Sequence, residues 1–236
     1  MPDADGRKSP EYFLNLIRQE SRGKLKVYLG FAPGVGKTYR MLADARVLRA
    51  RGIDVVMGYI EPHDRPDVIA LEAGLEEVAP HPVSYRGMTL KEVDVGAILA
   101  RRPASVLIDE IAHTNAPGSK NPKRFQDVEE LLAAGIDVIT TMNVQHLASC
   151  ADSVERAVGI QVRERILDEV IVGASQMIYV DVEAAELINR LKAGKIYRPE
   201  QAAIAIRNYF LPGNLTRLRR IALMETANLL AKREAR

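Results

Sequence analysis

The sequence predicts an α/β fold of three layers, a mainly parallel sheet with helices on both faces, followed by C-terminal helices. Two observations carry this. Short apolar runs, such as 24-KLKVYLG-30, 104-ASVLI-108 and 136-IDVITTM-142, alternate with longer stretches of helical spacing. Strands alternating with helices imply a mainly parallel sheet covered on both faces. Right-handed crossovers then gather the strand C-termini along one edge, where ligands bind in such folds.

Taken in order, residues 9–22 read as a short amphipathic helix closed by Gly23. Strand 24–30 follows, and residues 38–51 carry Met41, Leu42, Ala45 and Leu48 at helical spacing, ended by Gly52. Strand 53–60 comes next, then helices at 66–79 and 90–101 with a short strand around 82–86. Strand 104–108 ends in Asp109-Glu110, and a polar loop spans 112–123. Helix 124–134 stops at Gly135, strand 136–142 ends in Asn143, and a helix near 147–158 follows. A strand at 176–182 and a helix at 183–193 close the α/β part. Helices 199–210 and 214–234 form the tail, separated by Pro212-Gly213. The division expected is an arm at 1–22, an α/β domain at 23–197 and a helical extension at 198–236.

The chain has 236 residues, 47% of them hydrophobic and 27% charged, which is globular composition. A net charge of +2, few aromatics and no tryptophan argue against nucleic acid as a partner. The single cysteine, Cys150, excludes an internal disulfide and fits a reducing, cytoplasmic setting. There is no signal-peptide pattern and no run of about 18 apolar residues. Residues 213–236 gather Arg217, Arg219, Arg220, Lys232, Arg233 and Arg236 against Glu225 and Glu234. That face is either solvated or turned to a membrane surface or a following domain. The apolar stretch 221–231 packs on the domain's own core or on a partner.

The stretch 30-GFAPGVGKT-38 sits between a strand and a helix, the context of a phosphate-binding loop. The usual spelling is G-x-x-x-x-G-K-[ST]. Here Phe31 holds the first glycine's place and Gly30 stands one residue early, so a wider or distorted entry turn is expected. Gly34, Val35 and Gly36 would bring backbone N–H groups to the phosphates of ATP, at the positive end of the next helix. Lys37 would meet the β- and γ-phosphates, and Thr38 would offer its hydroxyl to Mg²⁺. Asp109 would hold Mg²⁺ directly or through water, and Glu110 would polarise a water for hydrolysis. The domain therefore reads as P-loop NTPase-like.

Glu61 and Asp64, in 61-EPHDR-65, fall on the same sheet edge. Either they hold a water, order Mg²⁺ or bind an acceptor group, with Glu61 beside Glu110 as a catalytic candidate, or they form a polar connection. Asn143 or Gln145 would sense the γ-phosphate or the attacking water, or simply cap a strand. The loop 113-HTNAPGSKNPKR-124 brings Lys120, Lys123 and Arg124. It would close over phosphates as a lid, with Arg124 on the nucleotide, reach a neighbouring subunit, or lie solvated. His63 and His113 lack metal-pair spacing and one cysteine completes no zinc set, so no structural metal is expected.

Together 34-GVGKTYRML-42, 61-EPHDR-65, 85-YRG-87, the run from Asp109 to Leu147, 159-GIQVRE-164, 194-GKIY-197 and 213-GNLTRLRRIAL-223 resemble the N-terminal cytoplasmic region of the KdpD sensor histidine kinase family. The resemblance spans roughly residues 22–232, and its 109–147 stretch is highly specific. It implies an ATP-binding region that regulates a histidine kinase controlling high-affinity potassium uptake. It further implies downstream stress-protein-like, membrane and kinase domains, a response regulator, a dimer, and a place on the cytoplasmic face of the inner membrane. Those downstream parts are not in the sequence, so an excised or stand-alone regulatory region is expected. The family shares the displaced first glycine. Carried over by position, Gly34, Gly36, Lys37 and Thr38 are assigned to phosphate and Asp109 to Mg²⁺. The competing readings are a free-standing ATPase or kinase, and a scaffold whose loop is vestigial.

Overall fold

The computed structural model describes residues 21–61, 66–159, 161–197 and 210–235. The expected helices at 9–22 and 199–210 lie outside those residues, except at their last positions, as does Asp64.

Six strands form one parallel sheet: β1 (Leu25–Gly30), β2 (Val55–Tyr59), β3 (Glu76–Glu77), β6 (Ser105–Ile108), β7 (Asp137–Asn143) and β8 (Gln176–Tyr179). Their order is β3-β2-β6-β7-β1-β8. The α/β class and the covered sheet are therefore as the sequence predicts. On one face lie α1 (Lys37–Ala50) and α2 (Pro66–Glu72), whose Met41, Leu42, Ala45 and Val68 pack on Tyr28, Met57 and Leu107. On the other lie α3 (Val95–Arg101), α4 (Arg124–Ala133), α5 (Ala148–Val158), α6 (Asp168–Val172), α7 (Ala184–Lys192) and the long α8 (Pro212–Glu234), around the larger core.

Two boundaries differ from expectation. The helix expected over 66–79 ends at Glu72, where Gly74 takes a positive φ, and Glu76–Glu77 becomes the edge strand β3. The helix expected from residue 90 starts only at Val95, where Asp94 Oδ1 accepts from Ala97 N at 2.8 Å. Residues before it form β4 (His81–Tyr85) and β5 (Met88–Glu92), an antiparallel hairpin outside the main sheet. Its turn is the pair Arg86-Gly87, both with positive φ, the tight geometry that matches strand twist. Helix periodicity over 90–101 hid this, because apolar positions in a two-residue alternation overlap those of a helix. The short α6 and the 3₁₀ turn Val144–His146 carried no recognised signal in the sequence.

Helix α8 buries Leu215, Leu218, Ala222, Thr226 and Leu229, one stripe at spacings of three and four, against α5, α6 and α7. Its apolar surface thus covers the domain's own core. Leu223, Met224 and Leu230 remain exposed on the other side. No helix among the described residues is long and apolar enough to cross a membrane.

Candidate nucleotide site

The carboxyl edge of the sheet builds the site. β1 runs into the loop 31–36, and α1 begins at Lys37. Gly34 and Gly36 have φ of 84° and 107°, left-handed values that glycine alone adopts without strain. Gly36 precedes α1 without any side-chain cap, and no acidic residue lies in the first turn. The first amides of α1 therefore point to the edge with no carboxylate to meet them, the arrangement that favours an anion.

Phe31 is turned inward from this loop. Its side chain is 1% exposed and belongs to the large core, so it anchors the loop from behind. Gly30 is the position that needs no side chain. A Cβ there would lie 2.6 Å from Val35 Cγ2 and 3.1 Å from Lys37 Cδ. The early glycine makes room for the loop to fold back over its own strand.

Topology then gathers the polar groups. β7 lies between β1 and β6, so Asn143 falls between the loop and Asp109. Lys37 is buried, and its Nζ donates to Asn143 Oδ1 at 2.7 Å and lies 3.4 Å from the Ala32 carbonyl. Thr38 Oγ1 donates to Asp109 Oδ2 at 3.0 Å, and Thr141 Oγ1 donates to Asp109 Oδ1. Asp109 is 2% exposed, with both carboxylate oxygens met by hydroxyls. Thr141 also accepts from Glu110 N at 3.1 Å, so one hydroxyl of β7 fixes both acids.

Glu110 has φ 55°, unusual for a non-glycine, and this turns its side chain aside from the strand direction. Its Oε1 is buried without a hydrogen-bond partner among the described residues and lies 3.8 Å from His146 Nε2. His146 Nδ1 is 2.9 Å from the Glu164 carbonyl oxygen, which can only accept, so Nδ1 carries a proton and Nε2 faces Glu110. Burial pushes the Glu110 carboxyl above the usual range, while Lys37 and His146 pull against it.

Arg124 is turned inward, and the 112–123 loop is tied down at both of its ends. Arg124 is 0% exposed. Its Nη1 donates to the Asp109 carbonyl at 2.9 Å, its Nη2 lies 3.3 Å from Glu92 Oε2, and its guanidinium stacks 4.0 Å over the Tyr59 ring. It sits behind Asp109 because Glu92, buried at the end of the hairpin, needs a cation. The loop is pinned by a bridge between Thr114 and Lys123 and by an ion pair of Lys120 with Glu130 at 2.5 Å. Glu61 accepts from the Tyr59 hydroxyl at 3.1 Å, which ties it to the same cluster. Burial, with Glu61 beside it, pushes the Tyr59 phenol up to about 12. Gln145, in the middle of the 3₁₀ turn, lines a small cavity with His146 and Glu164.

The sequence reading missed Thr141, Tyr59 and His146. The first had a signal, since two consecutive buried threonines in an inner strand must find partners. It also missed the cover on the loop from α7 and the turn after it. Ile196 packs so closely that a Cβ at Gly34 would lie 2.3 Å from its Cδ1, and Arg190 Nη1 donates to the Val35 carbonyl at 3.4 Å.

A family model described as the KdpD osmosensitive K⁺ channel His kinase sensor domain matches residues 21–230. The sensor protein KdpD of Escherichia coli K12 is 50% identical over 222 residues, covering 94% of this chain and 25% of that protein. The sensor protein KdpD of Mycobacterium tuberculosis H37Rv is 50% identical over 207 residues, 88% of this chain and 24% of the relative. A putative sensor protein KdpD of Synechocystis is 48% identical, covering 88% of this chain and 56% of its own length. The chain thus spans about a quarter of the first two relatives and about half of the third.

Proposed function

This chain belongs to the family of KdpD osmosensitive K⁺ channel His kinase sensor domains, and from that premise we propose that it is an Mg-ATP-binding regulatory module. In the complete protein it would modulate a histidine kinase that controls potassium uptake. The observation that carries the nucleotide reading is the contact of Thr38 Oγ1 with Asp109 Oδ2 at 3.0 Å, at the residue next to the buried Lys37. A hydroxyl and a carboxylate already aligned make two oxygen ligands for a hard cation, and the lysine meets phosphate oxygens.

The residues present fit Mg-ATP. Gly36 faces open space, with Arg190 Nη1 at 3.9 Å the nearest atom to a Cβ there, which leaves room for a phosphate beside the loop. Gly34, Val35 and Gly36 supply those amides, Lys37 the cation, and Thr38 with Asp109 the metal ligands. Bound Mg²⁺ supplies charge neutralisation on the β- and γ-phosphate oxygens. Asn143 holds Lys37 and stands where a terminal phosphate is sensed. Thr141 and Arg124 fix Asp109 through its carboxylate and carbonyl, and Glu61 steadies the Tyr59 layer beneath Arg124.

Nucleotide state would reach α8 through Arg219. It makes a bidentate pair with Asp181 at 2.6 and 2.9 Å and meets Glu183 at 2.8 Å, in the segment between β8 and α7. α7 and the turn after it also cover the phosphate loop, so one segment touches both. A kinase core, a membrane part, a response regulator and a second copy of the chain are the partners this reading implies, at the cytoplasmic face of the inner membrane.

Calorimetric titration with Mg-ATP tests the site. Binding is expected in the wild type and lost with Lys37→Ala, and absence of binding to the wild type refutes the proposal. A second reading, a free-standing ATPase or kinase, is favoured by Glu110, whose Oε1 lacks a partner beside His146. It requires multiple turnover abolished by Glu110→Gln, and turnover unchanged in that variant rules it out.

A further inference from the structure

The loop opens sideways into a cleft of about 700 Å³, inside the ~300–1,000 Å³ typical of small-molecule sites. Its walls start at Gly34 and Gly36 and continue to the end of β8. β8 lies on the opposite side of β1 from β7 and β6. The cleft is therefore on the far side of the loop from Asp109 and Glu110, where the acids crowd a terminal phosphate and metal. A molecule extended across the loop has its phosphate end at the acids and its other end here.

The chemistry of the two ends differs. The cleft presents Ile178 from β8, Val180 just after it and Val68 from α2, all packed on the core beneath α1. Tyr39, 47% exposed in the first turn of α1, forms a second wall, and Lys195 lines the rim. Arg40, Asp67, Glu186 and Arg190 also line the cleft, so an apolar strip beside an exposed ring is bordered by charged groups, which suits the flat face and polar edges of a heterocycle.

The edge of the sheet adds hydrogen-bonding groups. Among the described residues no strand pairs with β8 on its outer side. Val180 N donates to the Leu29 carbonyl at 2.7 Å, so the alternation of the ladder turns the N–H and C=O of Tyr179 away from β1. Tyr179 is itself one of the cleft's lining residues. It offers one donor and one acceptor side by side, in fixed geometry, at the margin of an apolar slot.

We propose that this cleft receives the nucleoside of the bound nucleotide, and that the main-chain N–H and C=O of Tyr179 read a 6-aminopurine edge. A ring nitrogen accepts from the N–H, and the exocyclic amine donates to the carbonyl. A 6-oxo purine offers an acceptor and a ring N–H in those places, so each of its groups meets its like. The proposal rests on the nucleotide reading above and goes further, to base selectivity.

The test is calorimetric titration of the protein with Mg-ATP, Mg-GTP and Mg-tripolyphosphate, in the wild type and in Tyr39→Ala. Tyr39 is exposed, so its truncation leaves the core intact, and circular dichroism checks this. ATP is expected to bind at least tenfold tighter than GTP and than tripolyphosphate. Tyr39→Ala is expected to weaken ATP at least fivefold while leaving tripolyphosphate unchanged. ATP and tripolyphosphate binding alike overturns the cleft and leaves the phosphate-loop reading standing. ATP and GTP binding alike overturns the edge recognition. Failure of all three to bind overturns the nucleotide reading itself.

Discussion

Lys37 Nζ donates to Asn143 Oδ1 at 2.7 Å, joining the first residue of α1 to the last residue of the neighbouring strand β7. Substitution Lys37→Met keeps the length of the side chain and removes the charge. Charge-assisted hydrogen bonds to phosphate are worth about 1.5–3 kcal/mol each. Mg-ATP affinity is therefore expected to fall by roughly 10–100-fold. A dissociation constant within threefold of wild type contradicts the assignment of Lys37.

Phe31 invites a different experiment from the one its position in the motif suggests. As a core residue, it should cost roughly 3–5 kcal/mol of stability when cut back to alanine. Urea unfolding measures this directly. Phe31→Leu should keep the fold, with Mg-ATP affinity within about threefold of wild type. A variant that stays fully stable but loses nucleotide binding would mean that the ring shapes the pocket directly.

Gly30→Ala tests the displaced glycine. The new methyl meets Val35 and Lys37 side chains at 2.6 and 3.1 Å. Overpacking of that kind costs about 1–3 kcal/mol and would push Lys37 out of place. Both the urea midpoint and Mg-ATP affinity should drop. Unchanged values in both measurements show that the loop has room to yield.

Arg219→Ala should cut the link between the site and the tail. In the wild type, Mg-ATP is expected to slow amide hydrogen exchange in residues 30–38 and again in 212–234. In the variant only the first protection should remain. An α8 indifferent to ATP in the wild type itself refutes the transmission route.

The attachment of α8 should be sensitive to acid. Asp168 is buried, which raises its pKa, but the bonds from Lys232 at 2.9 Å and Ser149 N at 3.2 Å outweigh this and hold it below the usual carboxylate range. A carboxyl with a depressed folded value stabilises the fold fully above its unfolded value, near ~3.9. That contribution fades as pH falls through the folded value. The wild type should thus be more stable than Asp168→Asn at pH 7, with the gap closing below about pH 4. Parallel urea curves at both pH values decide the point.

Much of this was readable in one dimension. Alternating apolar runs gave the covered parallel sheet, because both periodicities reflect burial directly. Lys37, Thr38 and Asp109 stood out because a loop, a hydroxyl and an acid at strand ends form a local pattern. Thr141 and His146 did not, since their importance comes from strand order, which brings β7 between β1 and β6. Counted along the motif, Phe31 implied a wider or distorted entry turn. Only the packing identifies it as an anchor and Gly30 as the residue that makes space. Arg124 was legible as a cation near the site, but not its direction, which the buried Glu92 sets.

The order β6-β7-β1 has a consequence for how the molecule forms. Asp109 and Asn143 stand at the ends of two neighbouring strands, Lys37 follows the loop after the third, and Gly30 pairs with Asn143 in register. A slip of one residue in either ladder replaces Asn143 or Asp109 with a side chain on the opposite face. The site therefore exists only when the centre of the sheet is correctly zipped. Any ligand that requires all three groups selects that state alone, and at a hundredfold excess over its dissociation constant contributes ~2.7 kcal/mol to it. Nucleotide would then act as a folding ligand, and the cell's ATP would tie the lifetime of this sensor to the energy supply.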